Sequence, residues 1–389
     1  MRKTIFIILS RIPYPLEKGD KLRAFYQIRE LAKRHDLIIC ALSDNAPHPE
    51  ASRILGQYAK SIYFFRLQKA GIFKRLVLAM FASRPFQVAY FHSGAIQKKV
   101  DALLATHKPD HIFCQLIRAA EYVRHTGIDK TIDYQDVFSA GLHRRLTYAS
   151  WFMRPLLRSE YHRVARYEQQ VFDDFDKKVI ISFPDRDKIP HEQRDAITVV
   201  PNGVDTGFFT PLNKEKTFDI LFTGNMAYPP NVNGAEYLVH EIMPEVWKSM
   251  PGATAAIAGA SPTAAVRALA SSRVTVTGWV DDIRDYYAGS RVFIAPMRIG
   301  TGLQNKVLEA MAMQMPCITS SLANSALRAK PGEEILIGEN AGEYARHVVS
   351  LLQNSTLRQQ VADSGYQFVL DNFNWESTSK TLEQVITDS

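Results

Sequence analysis

The chain has 389 residues, more than the roughly 100 to 200 that one ordinary domain holds, so two separately cored domains are expected. Its 46% hydrophobic and 22% charged residues exclude a disordered chain, and only three cysteines exclude a disulfide scaffold. The charge is lopsided: residues 1–200 carry 33 Lys and Arg against 21 Asp and Glu, whereas residues 201–389 carry 14 against 19. The net +7 therefore hides a basic first half, which suits an anionic partner: phosphate, nucleic acid or an anionic membrane face.

In chain order, the apolar stretch 4–9 is short, is stopped by Arg11 and has no small-residue cleavage site, so it reads as a buried strand and not as a signal peptide. A helix over 21–34, a strand over 37–42 and strands at 111–115 and 130–134 follow, an alternation that implies a parallel sheet covered by helices. Residues 66–86 interleave Arg66, Lys69, Lys74, Arg75 and Arg84 with apolar side chains. That pattern fits either a helix lying in a membrane interface or one packed on the sheet with a solvated basic face. Residues 151–174 read as one helix, ahead of a strand at 178–182. After the turn-rich connector 201–205 the grammar restarts: strands at 218–223, 253–258 and 274–277 run into Gly224, Gly259 and Gly278, and a strand at 292–295 runs into Pro296. Helices over 234–240, 263–271 and 304–313 supply the crossovers that parallel strands require. The fold class is α/β, with two tandem doubly wound domains facing across a cleft, the default ligand site. No stretch approaches the roughly 20 apolar residues of a membrane span. Cys40, Cys114 and Cys317 are widely spaced in apolar runs and read as buried thiols of a cytoplasmic protein.

Two loops carry chemistry. Residues 11–23 join the first strand to a helix; Gly19 lets backbone approach a phosphate at the helix N-terminus, with Lys18, Lys21 and Arg23 nearby, although an ordinary turn with Asp20 as N-cap fits equally. In residues 296–312 the Gly300-Thr301-Gly302 turn offers backbone N–H groups to an anion, and Lys306 and Glu309 share a face of the following helix. They suit a phosphate and sugar hydroxyls respectively, or else form a surface ion pair. Asp133 and Asp136, at the end of a parallel strand, are candidates for acceptor contact or for a helix cap. Asp174 with Asp176, and Asp185 with Asp187, match an Asp-x-Asp metal spacing but lie at a helix end and in a polar loop, where surface charge is the better reading; no metal is assigned.

The run Gly300 to Ala312, with Gln304-Asn305-Lys306-Val307-Leu308-Glu309-Ala310-Met311-Ala312 at its centre, resembles the donor-site signature of the family 4 glycosyltransferases of GT-B architecture. More narrowly, the chain resembles the sugar transferases associated with exosortase and PEP-CTERM exopolysaccharide systems. Matching features are Arg11-Ile12-Pro13-Tyr14-Pro15 with Lys18-Gly19-Asp20-Lys21, Asp133-Tyr134-Gln135-Asp136-Val137, Pro201-Asn202-Gly203-Val204-Asp205, Phe222-Thr223-Gly224-Asn225-Met226 with Pro230-Asn231-Val232, and Phe373-Asn374-Trp375-Glu376. The resemblance implies retaining, metal-independent transfer of a sugar, of the hexosyltransferase type, from a nucleotide diphosphate donor to an acceptor hydroxyl, with no cofactor. It implies an acceptor-side domain over 1–200, with a C-terminal helix at about 376–389 packing back on it, and a donor domain over 201–375. Glu309 would bind the donor ribose, with Gly224, Asn225, Gly300, Thr301 and Gly302 around the diphosphate and sugar; Gly19 would approach the phosphates, and Asp20, Asp133 and Asp136 would meet the acceptor. Two departures stand out. Thr301 occupies the place, eight residues before Glu309, where many family members have a second glutamate, and Asn225 and Pro229-Pro230 occupy the stretch where many have an Arg and a Lys. Arg298 and Lys306 are the candidates to replace that cationic clamp.

The implied partners are a nucleotide sugar and a lipid-linked or oligosaccharide acceptor, with peripheral contact at an anionic inner membrane face and no nucleic acid. The rival readings are a nucleotide-sugar 2-epimerase of the same architecture, which needs clustered acidic and histidine groups for proton abstraction, and a non-enzymatic polyanion-binding protein.

Overall fold

A computed structural model describes residues 2–299 and 302–388. The chain divides into two compact units, Met1–Pro201 with Thr378–Ser389, and Asn202–Ser377.

Among the described residues the first unit holds a parallel sheet of seven strands: β1 (Thr4–Leu9), β2 (Asp36–Ser43), β3 (Ser61–Arg66), β4 (His111–Gln115), β5 (Lys130–Asp133), β6 (Lys177–Ile180) and β7 (Thr198–Val199), in the order β3-β2-β1-β4-β5-β6-β7. The stretch 4–9 is thus the central strand, buried from Ile5 to Leu9 because both sheet faces are covered. Its side chains alternate: Phe6 and Ile8 enter one core with Ile38, Cys40 and Ile112, while Ile5, Ile7 and Leu9 enter the other with Leu37 and Ile39. Leu382 and Ile386 of the Trp375–Thr387 helix complete the second of these cores. The same helix holds Glu383 against Arg34 and, at 3.1 Å, against His35 Nε2. Burial leaves Cys40, Cys114 and Cys317 free but enclosed, and pushes the Cys40 thiol up to about 12.

Among the described residues the second unit holds six parallel strands: β8 (Phe218–Thr223), β9 (Ala255–Ala258), β10 (Val274–Val276), β11 (Ser290–Ala295), β12 (Cys317–Thr319) and β13 (Leu336–Ile337), in the order β10-β9-β8-β11-β12-β13. Both sheets are doubly wound, and each reverses its winding beside its first strand, between β1 and β4 and between β8 and β11. Such a switch point opens a crevice beyond the carboxyl ends of the strands, which is where ligands bind in α/β sheets.

The elements differ from the sequence expectation where a proline or a cap decides the boundary. The long helix starts at Arg154, with Pro155 in its first turn, and runs to Asp174. In place of a helix over 234–240, an α-helix covers Pro229–Tyr237, a π-helical turn covers Leu238–Ile242, and an α-helix resumes at Met243–Ser249. Pro244, which has no N–H to donate, accounts for the widened turn before it. The helix expected over 263–271 shrinks to Ala264–Arg267, capped by the Thr263 hydroxyl. Strands β3, β7, β12 and β13 were not expected.

Candidate functional site

The second unit gathers its chemistry at the β8/β11 switch point. β8 ends in Phe222 and Thr223 and turns at Gly224, where a Cβ atom would stand 2.6 Å from Asn231 Nδ2. Only glycine permits that approach. Gly259, after β9, is held closer still, since a Cβ there would meet Gly224 O at 2.0 Å. Asn225 commits its side chain to the turn, its Oδ1 accepting from Ala227 N at 3.0 Å, while its carbonyl accepts from Asn231 Nδ2 at 2.9 Å.

The Asn305–Ala312 helix enters this corner with no side-chain cap on its first turn, and Asn305 Oδ1 lies buried without a hydrogen-bond partner. Lys306 Nζ donates to Asn231 Oδ1, lies 3.6 Å from Met297 Sδ and sits 4.8 Å from the centre of the Phe222 ring. One turn on, Glu309 Oε2 accepts from the Tyr287 hydroxyl at 2.9 Å, and that hydroxyl lies 2.9 Å from Thr223 Oγ1. Both charged side chains keep some exposed surface but are enclosed on most sides. Burial pushes the Lys306 ammonium down to about 7 against the pull of Glu309, and pushes the Glu309 carboxyl up against Tyr287 and Lys306. The corner therefore holds a cation at the edge of losing its proton, beside the N-terminal end of a helix that has no side-chain cap. Both features favour an anion.

The structure brings Gly224, Asn225, Lys306 and Glu309 together through Asn231, Tyr287 and Thr223. Gly302 leads into the helix, its carbonyl accepting from Gln304 Nε2 at 2.9 Å. Gly300 and Thr301 lie outside the described residues. Arg298 does not join Lys306: it pairs with Glu241 at 3.1 Å and stacks 4.7 Å from the Tyr237 ring centre. Asn231, Tyr287 and Thr223 were missed as site residues. Asn231 stood in a quoted motif, but nothing local marks Tyr287.

In the first unit, Gly19 opens the Gly19–Leu31 helix, exposed, with nothing within 4 Å of where a Cβ would stand. Asp20 lies in the first turn, not at the cap, and pairs with Arg11. Arg11, Tyr14, Lys18, Lys21, Asp44 and His48 line a cavity of about 360 Å³ beyond the ends of β1 and β2. The expectation for Asp133 changes. It is fully buried, 2.7 Å from Arg23 Nε, and its other oxygen accepts from Gln135 N at 3.1 Å, so its carboxylate holds the core and the turn after β5 and is closed to a ligand. Asp136, three residues on, is exposed. The Asp-x-Asp pairs have structural partners: Asp174 pairs with Arg124, Asp176 Oδ2 accepts from Lys130 N at 2.9 Å, Asp185 binds the Ser182 hydroxyl, and Asp187 pairs with Arg186.

Residues 217–354 match the family described as Glycosyl transferases group 1, and these residues enclose the whole Lys306 corner. Over 391 residues, 95% of this chain and 96% of the other, the sequence is 20% identical to an uncharacterized 44.6 kDa protein in the cps region of Klebsiella pneumoniae. Over 119 residues, 30% of this chain and 34% of the other, it is 27% identical to the lipopolysaccharide core biosynthesis glycosyltransferase LpsE of Rhizobium meliloti. The fold is similar to that of Anabaena HepE in complex with UDP, with a TM-score of 0.68, 13% identity and full coverage of both chains. Residues 217–354 are thus similar to the group 1 glycosyl transferases, and the fold is similar to that of GT-B glycosyltransferase structures.

Proposed function

We propose that the protein is a retaining, metal-independent glycosyltransferase that moves a sugar from a nucleotide diphosphate donor to an acceptor hydroxyl in polysaccharide or glycolipid biosynthesis. The observation that carries this reading is the enclosed Lys306–Glu309 pair beside an uncapped helix start, inside the group 1 domain. Glu309, fixed by Tyr287, accepts hydrogen bonds from the ribose. Lys306 and the first-turn N–H groups of its helix hold the diphosphate and stabilise the charge that grows on it as the sugar leaves, the part a metal ion takes in other sites. Arg298 is the second cation of the clamp; its exposed pair with Glu241 is weak enough to give way to a phosphate. Gly224, Asn225 and Gly300 to Gly302 shape the donor side. With Glu309 bound to ribose, the departing phosphate oxygen takes the acceptor proton, which fits retention. The HepE likeness makes a uridine diphosphate sugar the first donor to try.

Residues 1–200 form the acceptor side in this reading and residues 201–375 the donor side. Gly19 approaches the phosphates, Asp20 and Asp136 meet the acceptor with the basic cavity beside them, and Asp133 positions the turn that carries Asp136. The likeness to a protein of a cps region and to a lipopolysaccharide core enzyme supports a polysaccharide or lipid-linked acceptor met at an anionic membrane face.

Calorimetry with UDP-glucose, or with whichever nucleotide sugar most raises Tm in a panel, tests the assignment. Glu309→Ala should fold and lose roughly 1.5 to 3 kcal/mol of donor affinity, the worth of a hydrogen bond to a charged group. Unchanged affinity in the folded variant would overturn the donor site.

A further inference from the structure

The Lys69–Met80 helix is apolar on both sides. Ile72 and Ala79 are buried and Leu76 packs against the first-unit core, while Phe73, Val77 and Met80 recur at helical spacing on the outside, continued by Phe81. Phe73 is 72% exposed and Phe81 87%. A row of exposed apolar side chains of this size is normally covered by something. A second exposed apolar group, Trp151, Phe152, Met153 and Leu156, stands at the start of the Arg154–Asp174 helix. The two groups are tied together. Arg163 donates to Ala79 O at 2.7 Å and to Met80 O at 3.4 Å, its guanidinium stacks 5.2 Å from the Phe86 ring centre, and Glu160 accepts from Phe86 N at 2.8 Å. Leu156 stands two turns before Arg163, about 10 Å along the helix. Because these contacts join the two elements, we take the exposed apolar side chains as one face of the first unit.

The charge around this face is mostly of one sign. Residues 51–100 contain nine Lys and Arg and no Asp or Glu. Residues 137–172 contain six Arg, and both of their glutamates, Glu160 and Glu168, are buried. Lys69, Lys74, Arg154 and Arg158 are exposed beside the apolar residues. Asp44 is the flanking carboxylate, beside Arg66 and Lys69 at the start of the helix, and Tyr90 donates to it at 2.9 Å; aromatic and branched side chains among this excess of cations have the make-up of a surface lying on anionic lipid.

We propose that this face docks on an anionic lipid bilayer, with Phe73, Phe81, Trp151 and Phe152 entering the headgroup boundary and Lys69, Lys74, Arg154 and Arg158 meeting lipid phosphates. The inference deepens the membrane-side acceptor proposed above and uses none of the donor-site residues, so the two stand or fall on separate readouts.

The full-length protein is sedimented with vesicles of phosphatidylcholine alone or mixed with phosphatidylglycerol, at low and high salt, while light scattering reads its mass and UDP-glucose thermal shift reads the donor site. The wild type should pellet with the mixed vesicles at low salt only. Because each cation near an anionic surface contributes about 1 kcal/mol, K69E with K74E should weaken partitioning on the order of tenfold or more. W151S with F152S should lower it at either salt, and both variants should keep the wild-type melting temperature and donor shift. Wild type left in the supernatant with the mixed vesicles, or folded variants that partition as the wild type does, would overturn the proposal. So would a stable dimer that F73S with F81S turns into a monomer, since a second copy then covers the face.

Discussion

The Lys306 ammonium makes donor binding a proton-linked event with a definite sign. Burial brings it down to about 7 in the free protein. A diphosphate placed against it favours the charged form and raises it again. Below about 7 the lysine is protonated both free and bound, so affinity should be flat; above 7 the free protein loses the proton that binding must restore. Proton linkage then raises the apparent Kd about tenfold per pH unit, or about 30-fold between pH 6 and pH 8.5 as long as the bound lysine stays protonated. Calorimetry in buffers of different ionisation enthalpy reads both the affinity and the proton taken up. A nucleotide sugar is the right probe because its diphosphate, esterified at both ends, has no ionisation in this window, unlike a free diphosphate, whose last ionisation lies near 6. Two variants fix the assignment. Lys306→Met should remove the pH dependence together with most of the affinity. Glu309→Gln should move the midpoint below 7, because the Glu309 charge is what holds the lysine up. Donor affinity that is flat from pH 6 to 8.5 in the wild type would refute the placement of diphosphate on Lys306.

Sequence pattern reaches as far as its own period allows. The apolar run of β1 and the strand-end glycines Gly224, Gly259 and Gly278 are legible because burial on two faces leaves a local mark, and so does a close approach at Gly224 and Gly259 or a left-handed backbone at Gly278. β3 (SIYFFR) is an edge strand whose residues from Ser61 to Phe65 are only half-buried, and β7 and β13 have two residues each, too few to show a period. Within the site, Lys306 and Glu309 are visible as neighbours on one helix face. Their partners come from topology: Tyr287 arrives from a short helix before β11, Thr223 from the end of β8 and Asn231 from the helix after it. Asp133 shows the same limit from the other side. Its place at a strand end is readable, but Arg23, 110 residues earlier, decides that it faces inward. The apolar outer face of the Lys69–Met80 helix is written in the sequence too, yet only the ties from Arg163 show that the end of this helix meets the Arg154–Asp174 helix.

Three further outcomes test the remaining placements. Gly19→Val should leave the melting temperature near that of the wild type, since nothing lies within 4 Å of the new Cβ, and should lower turnover by about 10² if the helix start approaches the phosphates; wild-type turnover would remove Gly19 from the site. Gly259→Ala should destabilise by about 2 kcal/mol or more in chemical denaturation and weaken donor binding, because its Cβ would displace the Gly224 carbonyl and with it Asn231. Asp133→Asn should be the costliest of the three: it removes the negative charge that faces the fully buried Arg23 guanidinium, and breaking a buried ion pair from one side costs about 3 to 5 kcal/mol. Replacing Arg23 and Asp133 together with apolar residues of similar volume should recover most of that loss in urea titrations, because the penalty belongs to the stranded charge. If the single and double variants are equally unstable, the pair is part of the packing itself. If Asp133→Asn is as stable as the wild type and only acceptor turnover falls, the carboxylate faces a ligand after all, and the structural role given to it here is wrong.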